Sequence, residues 1–332
     1  MGVDMIRSGA HNRRANRRHR AWWEKPASAL VCCVTVVSPM CTAVAGAAAT
    51  IPLTTTSYYE HNANPLTLYR QGEAAGKAGA QGIVILDFGR PADNGVYYGT
   101  LSFSGRFLPF NAIAAGVENY IRGYYRYAPS YTSLNVALGT NNSCGTGQPC
   151  GTTLSCGCPD EPPDFIVWGG QLALAVEEVD GWATALRAED GFTDKVQAVA
   201  ADDAEPAYDP GYQNTYDVLA GYARAVNGTF PTMVDYGSAD ADFWSESQLL
   251  QVAYGFRPDV PMPQIYYSNQ AAQWAALMSY AKARRGEKVA IYGVLTTGAG
   301  TNSPEAAYSD MLLAAALVTQ QSSIPWLSTI LR

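Results

Sequence analysis

Gly82-Ile83-Val84-Ile85-Leu86-Asp87 is an apolar, β-branched run with no polar alternation, as expected of a strand buried on both faces. Further strand-like runs cover Gly123–Tyr127, Leu134–Leu138, Val196–Asp202, Pro231–Asp235, Pro263–Tyr267 and Val289–Leu295. Helical patterns over 112–121, 164–186, 215–226, 245–254, 271–284 and 304–318 alternate with them. Strands in alternation with helices predict a parallel sheet with crossover helices. The expected fold is α/β, a (β/α)8-type, TIM-like barrel with one strand unplaced. Its weak point is the link between 123–127 and 134–138, too short for a helix. An open doubly wound parallel sheet is the alternative. No Gly-rich phosphate loop follows any strand, so a nucleotide-binding version of that sheet lacks support.

The first 45 residues read as an address. Arg13, Arg14, Arg17, Arg18, Arg20 and Lys25 precede a small, apolar stretch from Ala27 to Ala45, and Ala43-Val44-Ala45 has the small-x-small form of a signal-peptidase site. Sites among Ala47 to Ala49 serve equally well. A twin-arginine signal at Arg13-Arg14 or Arg17-Arg18 stays open, as does a retained anchor, the run being close to the spanning length. Cys41 lacks the context of a lipoprotein site. The expectation is a secreted, extracellular protein without stable membrane insertion after cleavage. Residues 46–80, polar and aromatic without a clear period, are expected to form an N-terminal arm. Residues 81–332 are expected to form the single barrel-like domain.

Cysteine usage agrees with export. Cys32, Cys33 and Cys41 fall in the leader; Cys144, Cys150, Cys156 and Cys158 crowd into one Gly/Thr/Pro-rich stretch within 141–160. An even number in an exported chain predicts two disulfides, with three pairings open. A zinc knuckle is the rival, but its two-residue spacers are missing. The chain carries a net charge of −7; the first 45 residues hold seven basic and two acidic side chains, a net +5, which leaves −12 on the rest. That balance excludes nucleic acid as an expected partner and favours neutral or cationic ones.

The three histidines are His11, His19 and His61, and two of them lie in the leader. His61 alone cannot supply a site with several imidazoles, and the candidate nucleophiles Ser238 and Ser268 have no histidine of matching spacing. Chemistry here falls to carboxylates. Asp202, Asp203 and Glu205 cluster where the run from Val196 ends, before Pro206. Strand alternation puts Asp203 and Glu205 on one face and Asp202 on the other. Asp87, Asn141, Asn142, Asp235, Tyr236, Tyr267, Thr296 and Thr297 also sit at strand ends, which in a parallel barrel gather at the C-terminal rim. Two closely spaced carboxyls are the equipment of glycosidic-bond hydrolysis.

Asp203-Ala204-Glu205 at a strand end resembles the Asp-x-Glu of family 18 chitinases and the similar motif of family 25 lysozymes. Leu86-Asp87-Phe88 is similar to the early strand Asp of the lysozyme group. Leu134 to Asn142, Asp202 to Pro206, Asp235-Tyr236-Gly237-Ser238 and Ile291 to Thr296 also resemble a group of secreted actinobacterial proteins of unassigned activity. The hydrolase resemblance implies Glu205 as proton donor to the leaving oxygen, Asp203 tuning it, and Asp87 or Asp235 as the second carboxyl. Ala201 and Val199 stand where the chitinase signature carries further Asp residues, a departure that bears on the substrate-assisted mechanism. Asn141, Tyr236, Tyr267 and Trp244 are candidate substrate-binding residues, the aromatics by stacking on sugar rings. The expected partner is a glycan or cell-wall polysaccharide, and no cofactor is expected. Three alternatives remain: a non-catalytic carbohydrate- or cell-wall-binding protein, a metal-dependent phosphodiesterase barrel, and carboxylates holding Ca²⁺ or Mg²⁺ without an EF-hand loop.

Overall fold

The structure, a computed structural model, describes residues 50–143, 164–193, 195–209, 211–227, 232–256, 259–297 and 301–331. The elements run β1 (Thr54–Tyr59), α1 (Pro65–Lys77), β2 (Gly82–Asp87), β3 (Arg90–Asp93), β4 (Tyr98–Leu101), β5 (Phe107–Pro109), α2 (Phe110–Tyr127), β6 (Ser133–Asn141) and α3 (Phe165–Asp190). They continue as β7 (Lys195–Asp203), α4 (Gln213–Ala225), β8 (Met233–Asp235), α5 (Glu246–Tyr254), β9 (Asp259–Pro261), α6 (Ser268–Arg285), β10 (Gly293–Thr296), α7 (Pro304–Thr319) and β11 (Trp326–Leu331).

Eight strands form one parallel sheet in the order β10-β11-β1-β2-β6-β7-β8-β9. The segment after β9 closes the sheet on β10: Gln264 bridges Leu295, with Ile265 N donating to Leu295 O at 2.8 Å and Leu295 N to Pro263 O at 2.9 Å. The result is a (β/α)8 barrel, and the open sheet is set aside. A small antiparallel sheet, β3-β4-β5, is inserted between β2 and α2.

Alternation along the strands divides the core in two. Ile83, Ile85, Ala137, Val199, Ala201, Val234, Met262, Leu295 and Ile330 fill the barrel. Val84, Leu86, Val136, Leu138, Val196, Ala198 and Ala200 face outward against the helices. Helix starts follow local chemistry. Asn64 Oδ1 accepts from Leu66 N and Thr67 N ahead of α1, and Ser245 with Gln248 makes a capping box on α5. Among the described residues no helix is long and apolar enough to cross a membrane.

Three expectations need correction. Residues 123–127 end helix α2 and form no strand. Their tyrosines continue a helical stripe, Ile113, Val117, Tyr120, Tyr124, buried at three- and four-residue spacing, and this outweighs the β propensity of the aromatics. The proposed arm contains β1 and α1, the first β/α unit of the barrel. Its strand escapes an apolar pattern because hydroxyls face inward: Ser57 Oγ lies 2.7 Å from Ser328 Oγ and accepts from Ile85 N at 2.8 Å. The unplaced strands are thus β1, β9 and β11, since the run Pro263–Tyr267 lies past β9 and meets the sheet only through the Gln264 bridge. The residues from Cys144 to Cys158, like the leader, lie outside the described residues.

Candidate active site

Parallel register carries side-chain direction from strand to strand. Tyr59 pairs with Asp87, Asp87 with Gly139, and Asn141 with Asp203, so Asp87, Asn141 and Asp203 share the inner face at the C-terminal end of the barrel.

Asp87 is fully buried. Its Oδ1 accepts from Gly89 N at 2.8 Å and lies 3.5 Å from Asn141 Nδ2; its Oδ2 accepts from Tyr236 Oη at 2.8 Å. Gly89 is required there, because it adopts φ +96° and an added Cβ would meet the Leu101 carbonyl at 2.2 Å. Burial pushes the Asp87 carboxyl up to about 6, and its three donors hold it from going higher.

Asp203, 6% exposed, accepts from Gln264 Nε2 at 2.6 Å. Burial raises its proton affinity well above the ordinary carboxylate range, and the charges of Glu205, Asp87, Asp202 and Asp235 add to the effect. Glu205 follows the strand end and is partly exposed. Its backbone is clamped by Asn142: Glu205 N donates to Asn142 Oδ1 at 2.9 Å and Asn142 Nδ2 donates to Glu205 O at 3.1 Å. Ser238 Oγ donates to Glu205 Oε2 at 2.5 Å. Gly237 lets Ser238 come this close, since a Cβ on it would sit 2.2 Å from the Ala204 carbonyl. Burial raises the Glu205 carboxyl and Asp240 adds to this, while hydrogen bonds from Ser238 and Asp203 oppose it. Asp203 and Glu205 therefore form a proton-holding pair with its partly exposed end at Glu205.

The other expected residues divide. Tyr236 belongs to the site but not as a stacking surface: it is fully buried, and its hydroxyl lies between Asp87 Oδ2 and the Thr140 carbonyl, 3.0 Å away. Asn141, 3% exposed, holds Asp87 and accepts from Ser143 Oγ at 2.6 Å. Tyr267 is exposed at the cap of α6. Trp244 is a packing residue, buried with its Nε1 donating to Asp209 O at 2.7 Å and its ring edge-on to Tyr212.

Asp235 is a correction. It pairs with Asp202 on the outer face of the sheet, while its neighbours Val234 and Tyr236 point inward. There it accepts from Gly237 N at 3.0 Å and caps the turn that presents Ser238. Burial pushes its carboxyl up to about 8 and that of Asp202 to about 7.

Sequence reasoning missed Gln264, Ser238 as a partner of Glu205, and Tyr59. Gln264 and Ser238 sit at strand ends beside residues that were singled out, so a wider reading of the rim finds them. Tyr59 lay in the segment read as an arm. Burial and the charges of Asp203 and Asp87 raise the proton affinity of its phenol. Among the described residues no group of three His, Cys, Asp or Glu side chains is arranged to hold a metal ion.

No protein-family model matches the chain, and no curated protein matches it. Among solved structures it aligns with the catalytic domain of GH30 xylanase C from Talaromyces cellulolyticus, at 12% identity and a TM-score of 0.35, over 80% of this chain and 75% of that one. The barrel assignment rests on the strand order and its closure.

Proposed function

We propose that the rim of this barrel hydrolyses glycosidic bonds, with Glu205 as the proton donor. The observation that supports this is the Asp203–Glu205 pair: two adjacent carboxyls with raised proton affinity, the inner one buried and the outer one partly exposed. A general acid needs a raised proton affinity and access to the leaving oxygen; burial raises that of Glu205, and its carboxyl is partly exposed. Asp203 is the neighbouring carboxyl of the pair, and Gln264 fixes its orientation. Asp87, with a carboxyl near 6, supplies negative charge at neutral pH behind Asp203. The substrate is a glycan, met outside the cell if the leader is removed as expected.

A second reading is a glycan-binding cleft without turnover. Its support is the burial of Asp87, which at 0% exposure has no direct path to a sugar. Glu205→Gln separates the two. The amide keeps the shape but is no acid, so hydrolysis of susceptible oligosaccharides drops by about a hundredfold or more while the fold persists. If wild type and variant bind glycan and neither releases product, the binding reading stands. If neither binds nor cleaves any glycan, both readings fail.

A further inference from the structure

The β4–β5 turn carries an exposed aromatic side chain to the edge of the acid cluster. Phe103 is 44% exposed. Its ring stands edge-on to Tyr59 with centroids 4.8 Å apart, and His61 flanks it at 6.4 Å. Tyr59 in turn pairs in register with Asp87 across the parallel β1–β2 ladder, on the inner face at the rim. Phe103 and the acids are thus linked through one side chain.

The turn is built to hold this ring in place. Ser102 N donates to Arg106 O at 2.9 Å and Gly105 N to Ser102 O at 2.8 Å. Ser102 Oγ and Ser104 Oγ lie 3.0 Å apart, and Ser104 Oγ donates to His61 O at 2.8 Å, tying the turn to the loop after β1. A large apolar side chain fixed in the open beside a polar cluster fits a ligand with both an apolar face and hydroxyls.

Charge narrows the ligand. Among the described residues, the loops that join barrel strands to the next helices contain Arg90 and Arg106 as their only Lys or Arg, against seven Asp or Glu. Arg90 is buried. An anionic saccharide would meet repulsion at this face with little to offset it.

We infer that Phe103 is the stacking platform of a subsite for an uncharged pyranose ring, adjoining the Asp203–Glu205 pair. This rests on the glycan reading above and names the class of sugar that the site takes. The ring's C–H face lies on Phe103 while its hydroxyls reach the polar rim.

The test is calorimetric titration of wild type and of Glu205→Gln, which stops turnover, with cellohexaose, xylohexaose and chitohexaose, and with hexagalacturonate as the anionic probe. At least one neutral oligosaccharide binds. Phe103→Ala in the same background weakens it about tenfold, the scale of one aromatic contact. Phe103→Trp restores affinity. Phe103→Leu, which keeps apolar cover on Tyr59 without a flat face, does not. The inference is overturned if the Ala and Leu variants bind within twofold of their parent, or if hexagalacturonate binds as tightly as the neutral probes; the acid-pair reading survives either result. If no probe binds or is cleaved by wild type, the glycan reading itself fails and takes this subsite with it.

Discussion

Tyr236 reaches across the barrel to place its hydroxyl 2.8 Å from Asp87 Oδ2. Asp87 ends β2 and Tyr236 directly follows β8, two strands that β6 and β7 separate in the sheet. The contact therefore spans the lumen and ties the two sides of the rim together. Tyr236→Phe removes the donor and little volume. The loss of a hydrogen bond to a buried carboxylate costs on the order of 1.5–3 kcal/mol. The donor lowers the Asp87 proton affinity, so its removal moves the Asp87 titration upward from about 6. Carboxyl NMR of the variant checks this; an unmoved Asp87 would falsify the assignment.

The Glu205 backbone is held from both sides by Asn142, which also donates to Thr215 Oγ1 at 3.0 Å. Asn142→Ala leaves an N–H and a carbonyl at the strand end without these partners and costs about 1–3 kcal/mol in stability. Asn142→Asp keeps the acceptor for Glu205 N but loses the donor and adds a charge. We expect turnover to fall in both variants, further than the loss of folded protein accounts for. Denaturant titration read beside single-turnover kinetics tests this, and turnover that tracks the folded fraction alone would deny Asn142 a positioning role.

Buried carboxyls give the fold a pH dependence whose sign is fixed. Asp87, Asp202 and Asp235 titrate near 6, 7 and 8 in the folded chain, each above the ordinary 3.8. Between the two values the folded state holds a proton that the unfolded chain has released, so stability falls as pH rises. The contribution is fully present below about 4 and is lost through the folded values, up to about 8. Urea midpoints are expected to be higher at pH 5 than at pH 9. Asp235→Asn still accepts from Gly237 N but cannot ionise, so the drop between pH 7 and pH 9 shrinks. A midpoint that rises from pH 5 to pH 9 would contradict these assignments.

How much of this was legible depended on what each strand puts inside the barrel. β2 and β7 were plain because both faces are apolar, with Ile83 and Val199 inside and Val84 and Val196 outside. β1 was hidden because Thr55 and Ser57 face the lumen, where Thr55 Oγ1 donates to the Ile83 carbonyl and Ser57 Oγ meets Ser328 Oγ and Ile85 N. The rim followed the same logic. Asp87 and Asp203 end long strands whose alternation can be counted, and the structure places them together. Asp235 ends a strand of three residues, too short for the pattern to fix its face. The role of Tyr236 was out of reach because its partner Asp87 lies 149 positions away.

Export sets the last prediction. We propose that the leader is removed between Gly46 and Ile51, on the order of its charged, apolar and small-residue segments. That window lies ahead of the first strand. β1 begins at Thr54 and pairs with both β11 and β2, so a cut before Ile51 leaves all eight strands intact. A cut beyond Tyr59 removes β1 and opens the barrel between two strands that would then expose unpaired edges. N-terminal sequencing of protein from culture medium is expected to read a start within that window. A chain begun at Thr50 should melt like the exported protein, while one begun at Glu60 should not fold cooperatively. Recovery of Met1 on a membrane-bound product would overturn the proposed cleavage, and cooperative folding from Glu60 would remove β1 from the account of the barrel.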